Sequence, residues 1–249
     1  MFKNLVVIAL LYLPTSTVQA IDKITPTLFS YYTENYPPSN YLENDQLVGA
    51  SVEILKLIWR DMGVPEQHIE VAPWARGYRN TLNKPLTMLF SMSKTKDREN
   101  LFKWVGPIFT DTHVLIALAD FADEINTMEE SFDYKVAAVR DDISDIKLRE
   151  TGFPKSNMVK VTKLDQALQM VKSKRADLMI LTSESLIQLA EQNNLNPDDF
   201  KEVWTVSINR NFYAFNKSTP DLIVAQFQQA FDNVEEERSD ILEKYHLKP

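Results

Sequence analysis

Ser91, Ser93, Thr95 and Arg98 stand close together in one short stretch and offer three hydroxyls and a guanidinium. An apolar run before them (Leu86, Met88, Leu89) reads as a buried strand. Glu99 to Trp104 after them reads as a helical turn leading into Gly106-Pro107. Strand, hydroxyl-rich turn and an arginine at a helix start make an anion-receiving geometry. The turn supplies N–H groups, and the planar fork of Arg98 matches a carboxylate. The same residues also suit a capped helix whose Arg98 pairs with Asp97 or Glu99 at the surface. Locally, both readings stay open.

Other chemistries find less material. The three histidines (His68, His113, His246) are scattered, which speaks against a zinc site or a His-based triad. Five glycines form no phosphate-cradling loop, and no carboxylates form a recognisable acid/base pair. Were there catalysis, Glu184 would be the residue to suspect. The expectation is a protein that is not an enzyme and needs no cofactor and no metal.

The elements that must position these residues alternate. Residues 24–32 read as a strand with Pro26 near its start. A proline-stiffened loop follows, carrying Tyr36-Pro37-Pro38 and Tyr41, whose aromatics suit either a packed lid or a ligand-stacking face. Residues 51–62 form an amphipathic helix capped by Ser51. Val52, Leu55, Ile58, Trp59 and Met62 share one face, which makes Trp59 a core residue. Residues 68–71 are a strand, and Pro73 opens a helix that places Trp74 and Arg76 at a strand-to-helix junction, where ligands collect in α/β sheets and where Trp74 equally suits packing between helix and sheet. Further strands are expected at 114–119, 134–139, 158–162, 178–181, 203–207 and 212–215. Helices are expected from Arg140, over 164–172 and 183–192, and from Thr219-Pro220-Asp221 onwards. Alternation of this kind predicts parallel α/β sheets, in two lobes with a cleft between them.

The chain has 249 residues, 44% hydrophobic and 25% charged, with a net charge of −8, which argues against nucleic acid or an anionic membrane as partner. Its start is tripartite: Lys3 in a short n-region, an apolar run from Leu5 to Leu13, and Val18-Gln19-Ala20 at the position a signal peptidase reads. A cleavable signal peptide over residues 1–20, cut after Ala20, and a periplasmic product are therefore expected. With no cysteine there is no disulfide and no lipid anchor.

The sequence resembles the bacterial extracellular solute-binding proteins of family 3, the periplasmic components of polar amino-acid ABC transporters. The residues that carry the resemblance are Tyr36-Pro37-Pro38 with Leu47-Val48-Gly49 and Val52-Glu53, then Ser91-x-Ser93-x-Thr95-x-x-Arg98 with Phe102 and Gly106-Pro107. Further along are Lys135-Val136 with Val139-Arg140, Ala167-Leu168 with Ala176-Asp177, and Phe212-Tyr213-Ala214-Phe215. The resemblance implies a type II periplasmic-binding-protein fold of two α/β lobes joined by two hinge crossings. One lobe would comprise residues 21–110 and 209–249, the other 111–208, with crossings near 109–113 and 207–212. It implies that Arg98 grips the carboxylate of a small solute, an amino acid or related organic anion, helped by Ser91 and Ser93, with Tyr36 and Trp74 as walls. The partner implied is an inner-membrane ABC permease or a sensor protein, and the receptor is expected to be a monomer. The same fold also occurs in periplasmic dehydratases of cyclic carboxylates.

Two departures bear on the solute. Where the amino-acid binders place an acidic residue a few positions after the Asp177 equivalent, this chain has Thr182, and Pro85-Leu86-Thr87 replaces another usual acid. Arg76 and Arg140 would then either make the cleft doubly cationic, suited to a dicarboxylate or another anion, or stand exposed at the surface.

Overall fold

The computed structural model describes residues 24–249. The expected signal peptide and its cleavage point lie outside the described residues. One large sheet dominates. Its first half holds β1 (Ser30–Thr33), β4 (Ile69–Val71) and β5 (Thr87–Ser93). Its second half holds β7 (Val136–Val139), β8 (Met158–Val161) and β9 (Leu178–Thr182). Between them run two long strands of 17 residues each, β6 (Phe102–Leu118) and β10 (Phe200–Asn216). The order across the sheet is β4-β1-β5-β10-β6-β9-β7-β8.

Pairing is parallel within each half, β1 with β4 and β5, β7 with β8 and β9. It is antiparallel wherever β6 or β10 takes part. The expected parallel sheets are found within each half, and the centre of the molecule departs from them. There the chain crosses between halves directly, with no helix to return it to the same direction.

Period-two alternation decides which helix covers what. In the first half, Tyr31, Met88, Phe90, Tyr213 and Phe215 face α1 (Ala50–Asp61) and α7 (Asp221–Asn233), where Ile58, Trp59, Phe227 and Phe231 are buried with them. Their neighbours Tyr32, Leu89 and Ala214 face the other way, toward Trp74 of α2 (Trp74–Asn83). In the second half, Ala137, Val139, Met179 and Leu181 continue that second layer. They pack beside Leu164 and Leu168 of α5 (Leu164–Lys172) and Leu189 of α6 (Ser183–Gln192). Trp59 is fully buried, as its helix periodicity required.

Several boundaries moved for physical reasons. Pro26 opens a short 3₁₀ turn (Pro26–Leu28) before β1, instead of starting a strand. Gly49, not Ser51, is the N-cap of α1, and Ser51 is buried in its first turn. The helical turn expected over 99–104 is α3 (Lys96–Glu99), because Phe102 already pairs with Asn216. The strands expected at 203–207 and 212–215 are one strand. The polar residues between them broke the apolar pattern, yet Asn211 and Asp111 pair inside the sheet. The terminal helix divides at Val234 into α7 and α8 (Glu235–Lys244). The loop after Tyr36 contains a hairpin, β2 (Tyr41–Glu43) and β3 (Gln46–Val48), turned by Asn44 and Asp45 at positive φ of 49° and 62°.

Candidate functional site

Between the two halves lies a small cavity walled by β1's exit loop, β5, the middles of β6 and β10, and the starts of two helices, α4 (Ile143–Glu150) and α6. The exit loop is rigid. Tyr36 and Asn40 bridge it, the Asn40 amide donates to the Glu34 carbonyl at 2.9 Å, and the Ser39 hydroxyl donates to the Tyr36 carbonyl at 2.9 Å. Gly49 backs this loop at φ +117°. A Cβ there would stand 2.6 Å from the Ser39 oxygen, so only glycine lets α1 approach.

Ser91 owes its place to a bulge. In the ladder Phe212 opposes Met92 and Tyr213 opposes Phe90, which leaves Ser91 unpaired at φ +59°. Its hydroxyl donates to Ser51 Oγ at 2.8 Å. Ser93, two residues on, donates to Asn211 Oδ1 at 3.2 Å. Asp141, just before α4, is also left-handed at φ +60° and turns its carbonyl back across the cleft. Trp74 Nε1 and Arg98 Nη2 both donate to that carbonyl, each at 2.8 Å. Strained non-glycine backbone on both walls of one cavity is the pattern that functional sites show.

Arg98 is 1% exposed, on the four-residue α3. Nη1 donates to the Ser93 carbonyl at 3.3 Å, and the guanidinium lies 5.2 Å from the Trp74 ring centre and 5.3 Å from that of Tyr78. Its Nε has no partner among the described residues. The fork therefore holds main chain from both halves at once. Two further bonds cross the cleft: Thr182 N donates to Tyr36 Oη at 3.2 Å, and the Ser185 hydroxyl donates to the Pro37 carbonyl.

The charge lining the cavity is acidic. Glu34, Asp111 and Asp142 line it and are buried at 8%, 6% and 5% exposure, and among the described residues the one basic lining residue is His113. Burial pushes the Glu34 carboxyl well above the ordinary range. Nearby Asp142 adds to the rise, and Arg98 opposes it. Burial likewise lowers Arg98, against the pull of Asp142, Tyr78 and Glu34. Burial alone would lower His113, but Asp111, Asp142 and Glu184 outweigh it, and the imidazole is raised. Asp111 Oδ1 lies 3.3 Å from His113 Nδ1, and Asp111 Oδ2 accepts from Asn211 Nδ2 at 2.7 Å. Asn209 Nδ2 lies 3.0 Å from the same imidazole nitrogen.

Of the residues singled out in the sequence, Tyr36, Ser91, Ser93 and Thr182 line the cavity. Trp74 and Arg98 form its rear support, through Asp141. Arg76 and Arg140 are exposed, and Arg76 is paired with Glu70 at 2.8 Å on the surface. The doubly cationic cleft expected from them is corrected, because neither side chain turns inward. Glu184, in the first turn of α6, is half-buried, and burial raises its carboxyl. Missed were Glu34, Asp111, His113, Asp142 and Asn211. The run Asp111-Thr112-His113 lies just before the apolar run of β6, and Arg140-Asp141-Asp142 follows β7 directly; polar runs at the edges of apolar ones were the available signal.

A search of curated protein sequences finds no match. Among solved structures, the chain is similar to a histidine kinase sensor domain with similarity to periplasmic binding proteins. The TM-score is 0.79 at 18% identity, covering 88% of this chain and 97% of that one. It is also similar to an ancestral arginine-binding protein bound to arginine, with TM-score 0.76 at 20% identity, covering 87% and 97%. A third is ArtJ, the arginine-, lysine-, histidine-binding protein from the thermophilic bacterium Geobacillus stearothermophilus, with TM-score 0.78 at 14% identity, covering 89% and 96%. At such identities these likenesses establish the type II periplasmic-binding-protein fold. Residues 30–248 match a family model, and the chain belongs to the bacterial extracellular solute-binding proteins, family 3.

Proposed function

We propose that this protein is a receptor whose two lobes, residues 21–110 with 209–249 and residues 111–208, close on a small polar solute of the amino-acid class. Closure is then the state that a membrane partner reads. The observation that carries the reading is a set of hydrogen bonds crossing the cavity itself, from Arg98 and Trp74 to the Asp141 carbonyl and from Thr182 N to Tyr36. Groups placed to respond to a solute are the same groups that hold the lobes together. The hinges lie at 109–113 and 207–212, where β6 and β10 pass side by side between the halves.

Arg98 couples solute to closure. Its fork meets main-chain carbonyls from both halves, and a carboxylate on the solute would share it as the lobes close. The receptor is exported, cut after Ala20 and monomeric, and its partner is an ABC permease. A sensor protein is the second reading, favoured by the likeness to a histidine kinase sensor domain over 88% of the chain.

The test is calorimetric titration and small-angle scattering of the purified protein against amino acids, amines and organic acids. A binding solute should shift the population of closed molecules, and Arg98→Ala should weaken that solute by about 100-fold, as loss of a buried charged contact does. Tight binding that survives Arg98→Ala would remove Arg98 from the mechanism.

A further inference from the structure

On the far face of the crossing strands the charge is reversed. Asp111 and His113 point into the cavity, so Thr110 and its ladder partner Arg210 point away from it. There a groove of about 810 Å³ is lined by Lys94, Lys96, Lys147, Glu150, Ile208 and Arg210, with Phe212 at its side. The chain as a whole carries −8, yet this groove gathers four cations against one carboxylate. Among the described residues, Lys147 pairs with Glu150 at 2.7 Å and Lys94 stands 3.7 Å from Glu99, whereas Lys96 and Arg210 have no acid within 4 Å. Apolar surface accompanies the charge. Ile208 is 69% exposed, and Phe212 meets Trp104 edge-on at 5.8 Å under the Lys94 ammonium.

The backbone supplies a second, independent observation. β10 pairs with β6 from Phe200 to Asn216, but with β5 only from Asn211 to Phe215. One further bond, from Lys94 N to the Arg210 carbonyl at 3.3 Å, ends that contact. From Phe200 to Asn209 the side of β10 away from β6 has no strand beside it among the described residues. Main-chain groups alternate sides along a strand, so Ile208 turns its N–H and C=O to the same side as Arg210, which at Ile208 is open. An open edge is a template for an added strand.

We propose that this groove docks an extended, acidic segment of a partner protein, which adds as a strand to β10 at Ile208. Its carboxylates meet Lys96 and Arg210, and its alternate apolar side chains meet Ile208 and Phe212. The groove draws on β10 at the crossing and on both lobes, Lys94 and Lys96 from one and Lys147 from the other, so one occupant touches all three. Only in its lobe boundaries does this rest on the receptor reading above.

The probe is a capped peptide of alternating glutamate and valine, titrated at low salt into isotope-labelled protein and followed by amide NMR. Its lysine-valine counterpart, its N-methylated form and inorganic pyrophosphate are the comparisons. The acidic peptide should shift the signals of Lys94 to Lys96 and Ile208 to Phe212, and bind less tightly as salt rises. The lysine and N-methylated peptides should leave those signals in place. Lys96→Glu and Arg210→Glu should each weaken the acidic peptide by about tenfold or more, with an unchanged melting temperature to show that they fold. The comparison of peptides on the wild type stands without the variants. No binding of the acidic peptide, equal binding of the lysine or N-methylated one, or unchanged affinity in both variants would overturn the proposal. So would pyrophosphate binding more tightly at the same signals, or self-association that Arg210→Glu abolishes, which would give the groove to a small anion or to a second copy. The solute titrations are separate, and their failure would overturn the receptor reading alone.

Discussion

Asp142 and Asp145 lie one helical turn apart at the start of α4, both buried, and their surroundings are opposite. Asp145 is fully enclosed. Its Oδ2 accepts from Asp141 N at 3.1 Å and from Lys160 Nζ at 3.1 Å, and Arg149 Nε lies 3.6 Å from Oδ1. Asp142 has one serine hydroxyl and faces a cavity shared with two other carboxylates. The same side chain on the same helix is a fixture in one place and an open valence in the other. Burial does not separate the two, whereas the count of partners does.

The comparison breaks most directly through Asp145. Asp145→Ala should cost about 2 kcal/mol, the range for hydrogen bonds to a charged group. The half-exposed Lys160 and Arg149 can return to water, which keeps the cost below that of a fully buried pair. Urea unfolding measures it, and solute affinity should change little. A cost near zero would place Asp145 with Asp142.

Asp142→Asn should have the reverse profile: unchanged or slightly raised stability, by up to about 1 kcal/mol, since a poorly compensated buried charge is removed. A loss as large as that of Asp145→Ala would end the distinction between the two aspartates.

The third prediction concerns pH. Glu34's carboxyl is raised in the folded protein, chiefly by burial, with Asp142 adding and Arg98 opposing. A raised group contributes stability that is present below its unfolded value and lost as pH rises through its folded value. The solute-free protein should therefore gain melting temperature as the pH falls from neutral toward the ordinary carboxylate range. His113, also raised, adds in the same direction. In Glu34→Gln the gain should shrink to the share of His113 and Glu184, both also raised, and an identical pH profile in wild type and variant would remove Glu34 from the account.

The smallest effect belongs to Arg76. Its pair with Glu70 is half in solvent, so Arg76→Ala should move stability by less than about 0.5 kcal/mol and leave binding unchanged. Altered solute affinity in this variant would return Arg76 to the site.

Much of this molecule was legible before its shape was known, and the reasons are local. The helix over 164–172 carried Leu164, Ala167, Leu168 and Val171 on one face, and α5 lies there with all of them buried. Tyr36, Ser91, Ser93 and Thr182 sit at ends or bulges of strands, where polar residues next to an apolar run already mark a boundary. The middles of β6 and β10 were illegible for the opposite reason. Asp111, His113, Asn209 and Asn211 are polar inside strands because they satisfy one another across the ladder, a pairing far apart in the chain. Arg76 and Arg140 showed that an arginine's position in sequence says little about its direction. A long side chain at a helix start swings outward whenever a nearby acid or water will take it.

β10 has a consequence of another kind. It lies between β5 and β6, bonded to both, and it is the last strand of the sheet to appear along the chain. A polypeptide emerging amino end first holds a gap in the middle of its sheet until Asn216 has arrived. Only then can the early strands be joined to the later ones. Completion of the fold thus waits on almost the whole length, and a chain stopped before Phe200 loses its keystone rather than an edge.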